Sequence, residues 1–282
     1  SKYAFGAKPR KIYLFRQEND NVFIPFSFDN KYNLPKRNSN NSSNVQCDII
    51  LRDEQKSVKS ETIKELNKKG SILISAYTGF GKTALSIYLS SKLKLKTLIL
   101  CHRILLMKQW KTSIEKFCPD ATIQTITSKS KLKECDFYIA NAVNIPKHDV
   151  KFYKNIGTVI IDEAHIIMAE KMSECMLYLS PRYLIGLSAT PYRNDGLNGL
   201  LDMYFGKKKI IRKLYRKHTV YQIKTNIVPE AKMNVRGKID WTSVIGSQAL
   251  NEERNEMIIN LVKLFPKRVF LILCKRVEQA EH

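Results

Sequence analysis

The chain has 282 residues and a hydrophobic content of 44%, which is ordinary for a protein with a packed core. It contains no apolar run of the roughly 20 residues that cross a bilayer, which argues against a membrane protein. Lysine and arginine number 48 against 26 acids, and the formal net charge of +22 favours a polyanionic partner such as nucleic acid. The alternative source of this excess is an AT-rich coding sequence, which raises the lysine content without selection for binding.

The first 46 residues differ in character from the rest of the chain. Two short runs of alternating aromatic and polar residues flank the segment 19–21, which suits a turn and predicts a small β-hairpin. Residues 38–44 are all Asn or Ser and predict a flexible linker. We therefore expect a small β-rich N-terminal module at 1–46. Because the basic start has no hydrophobic block behind it, we expect no secretory signal.

Residues 47–250 are expected to form an α/β domain with a parallel sheet and helices on both faces, because short β-rich runs alternate with helix-like segments. Strands are predicted at 71–76, 97–101, 136–140, 158–162 and 183–187, and helices at 53–68, 82–94, 103–117 and 169–179. Ligands of open α/β sheets bind at the carboxyl ends of the strands. The chemically informative motifs of this chain fall at such ends.

The segment A-Y-T-G-F-G-K-T at 76–83 joins a predicted strand to a predicted helix, which is the setting of a phosphate-binding P-loop. Glycines permit backbone shapes that aim N–H groups at phosphate oxygens, and the helix N-terminus adds a favourable dipole. Lys82 is expected to reach the β and γ phosphates of ATP, and Thr83 to ligate Mg²⁺. The predicted nucleotide contacts in this segment are Thr78, Gly79, Phe80, Gly81, Lys82, Thr83 and Ala84. Ala76 stands where the strict pattern has its first glycine.

Asp162 and Glu163 close a predicted strand of apolar and β-branched residues. Two adjacent acids could equally begin a capped helix. Together with an upstream P-loop, however, they predict a site for ATP hydrolysis. In that site Asp162 holds Mg²⁺ and Glu163 orients and deprotonates the attacking water. The predicted catalytic residues are therefore Lys82, Asp162 and Glu163.

The C-terminal part predicts a β-rich run at 219–225, a helix at 251–264 and a buried strand at 268–274. A helix and one strand do not make a domain, so we expect a fragment that only begins a second domain at 251–282. The basic run between residues 207 and 217 could contact nucleic acid or form a solvated surface. Its cations are Lys207, Lys208, Lys209, Arg212, Lys213, Arg216 and Lys217.

Six cysteines form no C-x-x-C pair and no Cys/His cluster with zinc spacing. Several, such as Cys101, lie in apolar runs. This pattern predicts reduced, buried thiols in the cytoplasm or nucleus.

The ordered motifs resemble those of superfamily 2 DEAD/DEAH-box helicases, most closely the XPB-like branch, and are similar to large-DNA-virus helicases such as the poxviral transcript-release type. The resemblance covers about residues 49–282. It implies a RecA-like P-loop NTPase fold, with a second RecA-like domain that is only begun. It also implies an ATP-dependent DNA helicase or translocase that uses ATP and Mg²⁺, and a viral origin would add the host cytoplasm or the virion as locations.

The resemblance also implies roles for single residues. Arg52 and Gln55 match the segment that reads adenine. Ser188 and Thr190, joined by His165, match the elements that couple the ATP site to the nucleic-acid site. The implied nucleic-acid contacts are His102, Arg103, Gln109, Asn141 and Arg193.

One position near these motifs departs from the family pattern, and another is assigned to the core instead of to nucleic-acid contact. Asn141 replaces the threonine that the family often has, and Trp110 is predicted to be a core residue because it lies at helical spacing from Leu106 and Ile114.

Three alternatives to a DNA helicase stay open: a translocase that does not separate strands, an RNA helicase, and a nucleic-acid-binding module with little ATPase activity. The family's arginine fingers lie in the second domain and accelerate hydrolysis on the order of 10³- to 10⁵-fold. We therefore expect a monomeric fragment that binds ATP or ADP, hydrolyses ATP weakly and does not unwind a duplex.

Overall fold

The computed structural model describes residues 13–31, 42–167, 174–190, 192, 198–215 and 217–281. The chain divides into two compact units, 1–215 and 216–282. This division falls earlier along the chain than the boundary predicted at 250, and the functional extent of the domain at 47–250 stays a prediction. Within the described ranges, no helix combines the length and the apolar content needed to cross a bilayer.

The N-terminal hairpin is present. Strands β1 (Arg16–Glu18) and β2 (Asn21–Phe23) pair in antiparallel fashion. The turn between them places Asn19 at φ 51°, a left-handed conformation that asparagine tolerates better than most residues. The following 3₁₀ helix, Phe26–Lys31, buries Phe26 in one of the two main cores. Phe26 thus packs this 3₁₀ helix against residues of the main sheet such as Leu73 and Leu184.

The predicted linker at 38–44 is only partly within the described residues, since 38–41 lie outside them. Its second half is held by the main sheet region. Ser43 donates its backbone N–H to the Lys94 carbonyl at 3.0 Å and its hydroxyl to Asp136 Oδ1 at 2.7 Å. Ser43 is buried, so a flexible linker was the wrong prediction for this position.

The first unit is built on a sheet of seven parallel strands in the spatial order β5-β6-β4-β7-β8-β3-β9. The strands are β3 (Ser71–Ala76), β4 (Thr97–Cys101), β5 (Ile123–Ile126), β6 (Phe137–Asn141), β7 (Thr158–Ile161), β8 (Tyr183–Ser188) and β9 (Lys209–Arg212). The helices are α1 (Asp53–Lys69), α2 (Lys82–Leu93), α3 (Ile104–Phe117), α4 (Ala164–Ile167) and α5 (Asn198–Phe205), with 3₁₀ helices Ala142–Lys147, Val150–Tyr153 and Glu174–Tyr178. The predicted RecA-like fold is confirmed.

Alternation along the strands creates a core on each face of the sheet. In β3, Ile72 and Ile74 belong to the core that contains buried residues of α1, α2 and α3, whereas Leu73 belongs to the opposite core with Leu201 of α5. All six residues of β3 are buried, as expected for a central strand covered on both faces.

The five strands predicted for the sheet are present, with small shifts at their ends, but the two edge strands were missed. The short strand β5 at one edge is only partly buried, and β9 at the other edge is the middle of the basic run. The predicted helix at 169–179 lies partly outside the described residues, and its described part, Glu174–Tyr178, is 3₁₀.

Much of the basic run serves the fold, because its cations pair with carboxylates. Lys208 contacts Glu65 at 2.5 Å, Lys209 contacts Asp202 at 3.1 Å, and Arg212 pairs with Glu61. The hydrogen bond from Lys208 lowers the pKa of the buried Glu65 carboxyl, although burial acts against it. The described cations Lys207, Lys213 and Lys217 are exposed, and Arg216 lies outside the described residues.

The second unit contains a short antiparallel pair, β10 (Lys232–Met233) and β11 (Ile239–Asp240), and helices α6 (Trp241–Ala249), α7 (Glu252–Leu264) and α8 (Val277–Glu281). The helix predicted at 251–264 is therefore present. Its N-cap, Asn251, accepts a hydrogen bond from the Arg254 N–H at 2.8 Å.

The predicted buried strand at 268–274 was wrong, and the β-rich run at 219–225 forms no strand either. Val269, Leu271 and Leu273 are exposed. A strand needs a neighbour that supplies hydrogen bonds, and the described strands of this unit, β10 and β11, pair with each other.

Candidate functional site

The P-loop has the backbone that its glycines predict. Gly79 and Gly81 both have φ 86°, a conformation that disfavours other residues. Gly81 is also the N-cap of α2, and no side chain caps the first amides of this helix. The first N–H groups of a helix have no intrahelical acceptor, and together with the helix dipole they suit an anion.

The space around the two glycines differs, and this difference gives a matched test. A Cβ atom at Gly81 would lie 2.6 Å from Gln55 Nε2, whereas at Gly79 it would meet nothing within 4 Å. Both alanine variants carry the left-handed backbone penalty of roughly 1–2 kcal/mol, but only Gly81→Ala must also displace the Gln55 amide. We expect Gly81→Ala to lower the free energy of unfolding by about 1 kcal/mol more than Gly79→Ala does. Denaturant titration of the two variants measures this difference, and equal losses would contradict it.

Arg52 and Gln55 lie against the loop from the N-terminal end of α1. Gln55 is buried, accepts the Arg52 backbone N–H at 3.0 Å and donates to the Phe80 carbonyl at 2.9 Å. The Arg52 guanidinium donates to the carbonyls of Phe80 and, at 3.3 Å, Gly79. Both side chains therefore stabilise the loop by donating hydrogen bonds to its carbonyl groups. Their contact with adenine stays a prediction.

Phe80 anchors the loop to the core, because its side chain is fully buried and meets Tyr77 edge-on at 5.5 Å. Tyr77 in turn donates its hydroxyl to Glu54 Oε2 at 2.9 Å. Thr78 is exposed at the loop tip, and Thr83 and Ala84 are half-buried in the first turn of α2. Phe80 thus holds the loop through packing and also through its backbone, because its N–H donates to the Tyr77 carbonyl at 3.2 Å and its carbonyl accepts from Arg52 and Gln55.

Lys82 lies inside the loop with its ammonium group donating to the Ala76 carbonyl at 2.7 Å. Burial lowers the pKa of this ammonium group, while the carboxylates of Glu163 and Asp162 act in the opposite direction. The lysine is therefore within electrostatic reach of both acids. The fold brings together the three predicted catalytic residues from β3–α2 and from the end of β7.

The two acids differ in their surroundings. Asp162 accepts the indole N–H of Trp110 on Oδ2 at 2.9 Å and the Glu163 backbone N–H on Oδ1 at 3.1 Å. Glu163 has φ 50°, an uncommon conformation for a residue other than glycine. Such outliers persist where surrounding structure enforces them, often at functional sites.

The predicted coupling residues His165, Ser188 and Thr190 are linked by hydrogen bonds next to Glu163. The buried Ser188 hydroxyl donates to the Thr190 carbonyl at 2.6 Å and accepts the Thr190 N–H at 3.0 Å. Because its proton is used there, it acts as acceptor towards His165 Nδ1 at 2.9 Å. The same nitrogen lies 3.4 Å from Glu163 Oε2. The end of β8 is thus linked to the acid, and the coupling role itself stays a prediction.

The predicted nucleic-acid residues are only partly brought together. Asn141 at the end of β6 donates to the His102 carbonyl at 3.4 Å and accepts the Val143 N–H at 3.2 Å, so its amide also caps the next turn. Arg103, the N-cap residue of α3, and Gln109 on α3 are exposed, and Arg193 lies outside the described residues. Their contact with nucleic acid stays a prediction.

Sequence reasoning missed two features at this edge. Trp110 is buried as predicted, yet it also holds Asp162. Ile104, Leu105 and Val143 are more than half exposed beside Arg103 and Asn141. Periodicity along the sequence could not predict that these apolar side chains are exposed beside polar ones. Their exposure depends on which distant parts of the chain pack against them.

The residues present fit a magnesium nucleotide. The loop combines two left-handed glycines, an uncapped helix N-terminus and a lysine directed at the loop interior. Hydroxyl and carboxylate oxygens are suitable Mg²⁺ ligands, and Thr83 and Asp162 supply them. A bound Mg²⁺ would neutralise charge on the phosphates. This donor set and the parallel sheet define a P-loop NTPase.

Comparison with known proteins narrows this class. Residues 48–193 match the family described as type III restriction enzyme, res subunit. The chain belongs to this family, within superfamily 2 of helicases, so the resemblance found in the sequence is confirmed. "Putative helicase 161L" of Invertebrate iridescent virus 6 is 46% identical over 98% of this chain and 64% of the relative.

Two more distant relatives have names that refer to different nucleic acids, DNA for one and RNA for the other. "DNA 3'-5' translocase XPB2" of Sulfurisphaera tokodaii is 27% identical over 79% of this chain and 51% of the relative. "Putative ATP-dependent RNA helicase L396" of Acanthamoeba polyphaga mimivirus is 28% identical over 55% of this chain and 30% of the relative. The chain spans less than two thirds of the length of each relative.

Proposed function

We propose that this chain is the ATP-binding part of a nucleic-acid-dependent ATPase motor, a helicase or translocase that acts on DNA. The observation that carries the proposal is that Lys82, which follows β3, and the acids Asp162 and Glu163, which follow β7, lie at the carboxyl edge of one parallel sheet. An anion-binding loop and a carboxylate pair at this edge are the parts that phosphoryl transfer to water requires.

In this proposal the chain's own residues divide the work. The P-loop amides and Lys82 hold the phosphates, and Thr83 and Asp162 hold Mg²⁺. Glu163 accepts a proton from the attacking water. His165, hydrogen-bonded to Ser188 and close to Glu163, links this step to the end of β8. A change at the acid can therefore reach the strand end through the 3.4 Å contact of Glu163 with His165 and the hydrogen bond of His165 with Ser188.

The nucleic-acid track is proposed to lie along the strand ends that carry His102, Arg103 and Asn141, with Gln109 and Arg193 as further contacts. The net charge of +22 supports a polyanionic partner. The DNA translocase among the relatives favours DNA, and the RNA helicase supports RNA as the second candidate. We expect slow hydrolysis by residues 1–282 alone, because the family resemblance assigns the arginine fingers to the second domain.

The decisive measurement is phosphate release from ATP under single-turnover conditions, with no nucleic acid, with single-stranded DNA and with single-stranded RNA of the same sequence. We expect slow release that DNA accelerates severalfold, because the track is proposed to bind at the ends of β4 and β6, and β4 is the neighbour of β7, which carries the acids. Acceleration by RNA alone would overturn the choice of DNA. Binding of DNA without ATP binding or hydrolysis would overturn the motor and leave a nucleic-acid-binding module.

A further inference from the structure

Trp110 makes a contact that its position in the core does not require. It lies on α3, is 2% exposed, and directs its indole N–H to Asp162 Oδ2 at 2.9 Å. A buried indole N–H needs an acceptor, and a backbone carbonyl would satisfy it equally well. Here the acceptor is the carboxylate proposed to hold Mg²⁺.

The hydrogen bonds on Asp162 fix the orientation of its carboxylate. Oδ2 accepts from Trp110, and Oδ1 accepts from the Glu163 backbone N–H at 3.1 Å. The Asp162 N–H donates to Leu100 at 3.0 Å, which ties the residue to β4. With one bond on each oxygen, the carboxylate plane cannot rotate without breaking a charge-assisted hydrogen bond.

The other buried residues of α3 have no polar group that could bind Asp162. Met107 and Ile114 are apolar and pack in the core between α3 and the sheet. Hydrogen-bond partners of metal-binding carboxylates commonly set metal affinity, and their loss typically costs roughly 10- to 100-fold. We propose that Trp110 is a positioning residue that orients Asp162 and thereby sets the affinity of the nucleotide site for Mg²⁺. This inference rests on the proposed function.

The first test compares Trp110→Phe with Ile114→Val, a control that trims a fully buried side chain on the same helix. ADP affinity is measured at rising Mg²⁺ concentrations and in EDTA. We expect Trp110→Phe to raise the Mg²⁺ concentration for half-maximal binding by roughly tenfold and to leave affinity in EDTA unchanged. A similar shift in Ile114→Val, or an equal loss with and without Mg²⁺, would reduce Trp110 to a packing residue.

A second test leaves Trp110 in place. The chain has two tryptophans, and Trp241 is exposed in the second unit. In Trp241→Phe, the only indole N–H resonance in a ¹⁵N spectrum is that of Trp110. We expect this resonance to shift when Mg²⁺ is added to the ADP-bound chain. ADP binding without any shift would overturn the positioning role, whereas absence of ADP binding would overturn the proposed function instead.

Discussion

Glu163→Gln is expected to slow single-turnover ATP hydrolysis by roughly 100- to 10,000-fold, which is the range for loss of a general base. The amide has nearly the shape of the carboxylate but cannot accept the proton of water at neutral pH. Glu163 does not lie in the P-loop, and Asp162 keeps both of its hydrogen bonds in this variant. ATP affinity should therefore change little.

The matched control for this variant is Glu115→Gln, which removes the same charge from an exposed i,i+4 ion pair with Lys111 on α3. Phosphate release and ATP binding are measured for both variants. Hydrolysis at the wild-type rate in Glu163→Gln would assign the base to another residue. Equal slowing in both variants would point to net charge as the cause.

Lys82→Ala is expected to weaken binding of ATP and ADP by roughly 10- to 100-fold, which corresponds to the loss of hydrogen bonds from a charged donor. The ammonium group is directed into the loop, where it donates to the Ala76 carbonyl at 2.7 Å. Asp162 and Glu163 would then face the phosphates without a nearby cation from the loop. Titration with a fluorescent nucleotide measures the affinity.

Lys92→Ala is the control for the lysine variant, since it removes an exposed lysine from the last turn of the same helix. It should bind nucleotide as the wild type does. Thermal denaturation of both variants shows whether the fold is retained. If the folded Lys82→Ala variant binds nucleotide like Lys92→Ala, the loop is not a phosphate site.

Local patterns in the sequence were enough to predict those parts of the site whose structure depends on residues close together along the chain. The glycine spacing at 76–83 after a β-rich run predicted the loop, and its two glycines have the left-handed backbone that the motif needs. The acids at the end of β7 were also found, because a short apolar run followed by polar residues marks the carboxyl end of a strand.

The wrong predictions concern strands, whose formation depends on residues far apart along the chain. The run at 268–274 suits a pleated surface, yet in the structure it has no partner strand among the described residues and is largely exposed. The edge strand β9 was missed because it begins with Lys209 and ends with Arg212, and an edge strand accepts charged residues that a central strand would exclude. Whether a run becomes a strand depends on a neighbour elsewhere in the chain.

The sequence by itself determined the class of site: a phosphate-binding loop, two acids and the α/β alternation, all set by residues close together along the chain. Only the tertiary structure decided how the site is held. Trp110 meets Asp162 across 52 positions of sequence, and Lys208 meets Glu65 across 143. These contacts follow from the spatial order of the strands, which pairing between distant segments fixes and local patterns do not encode.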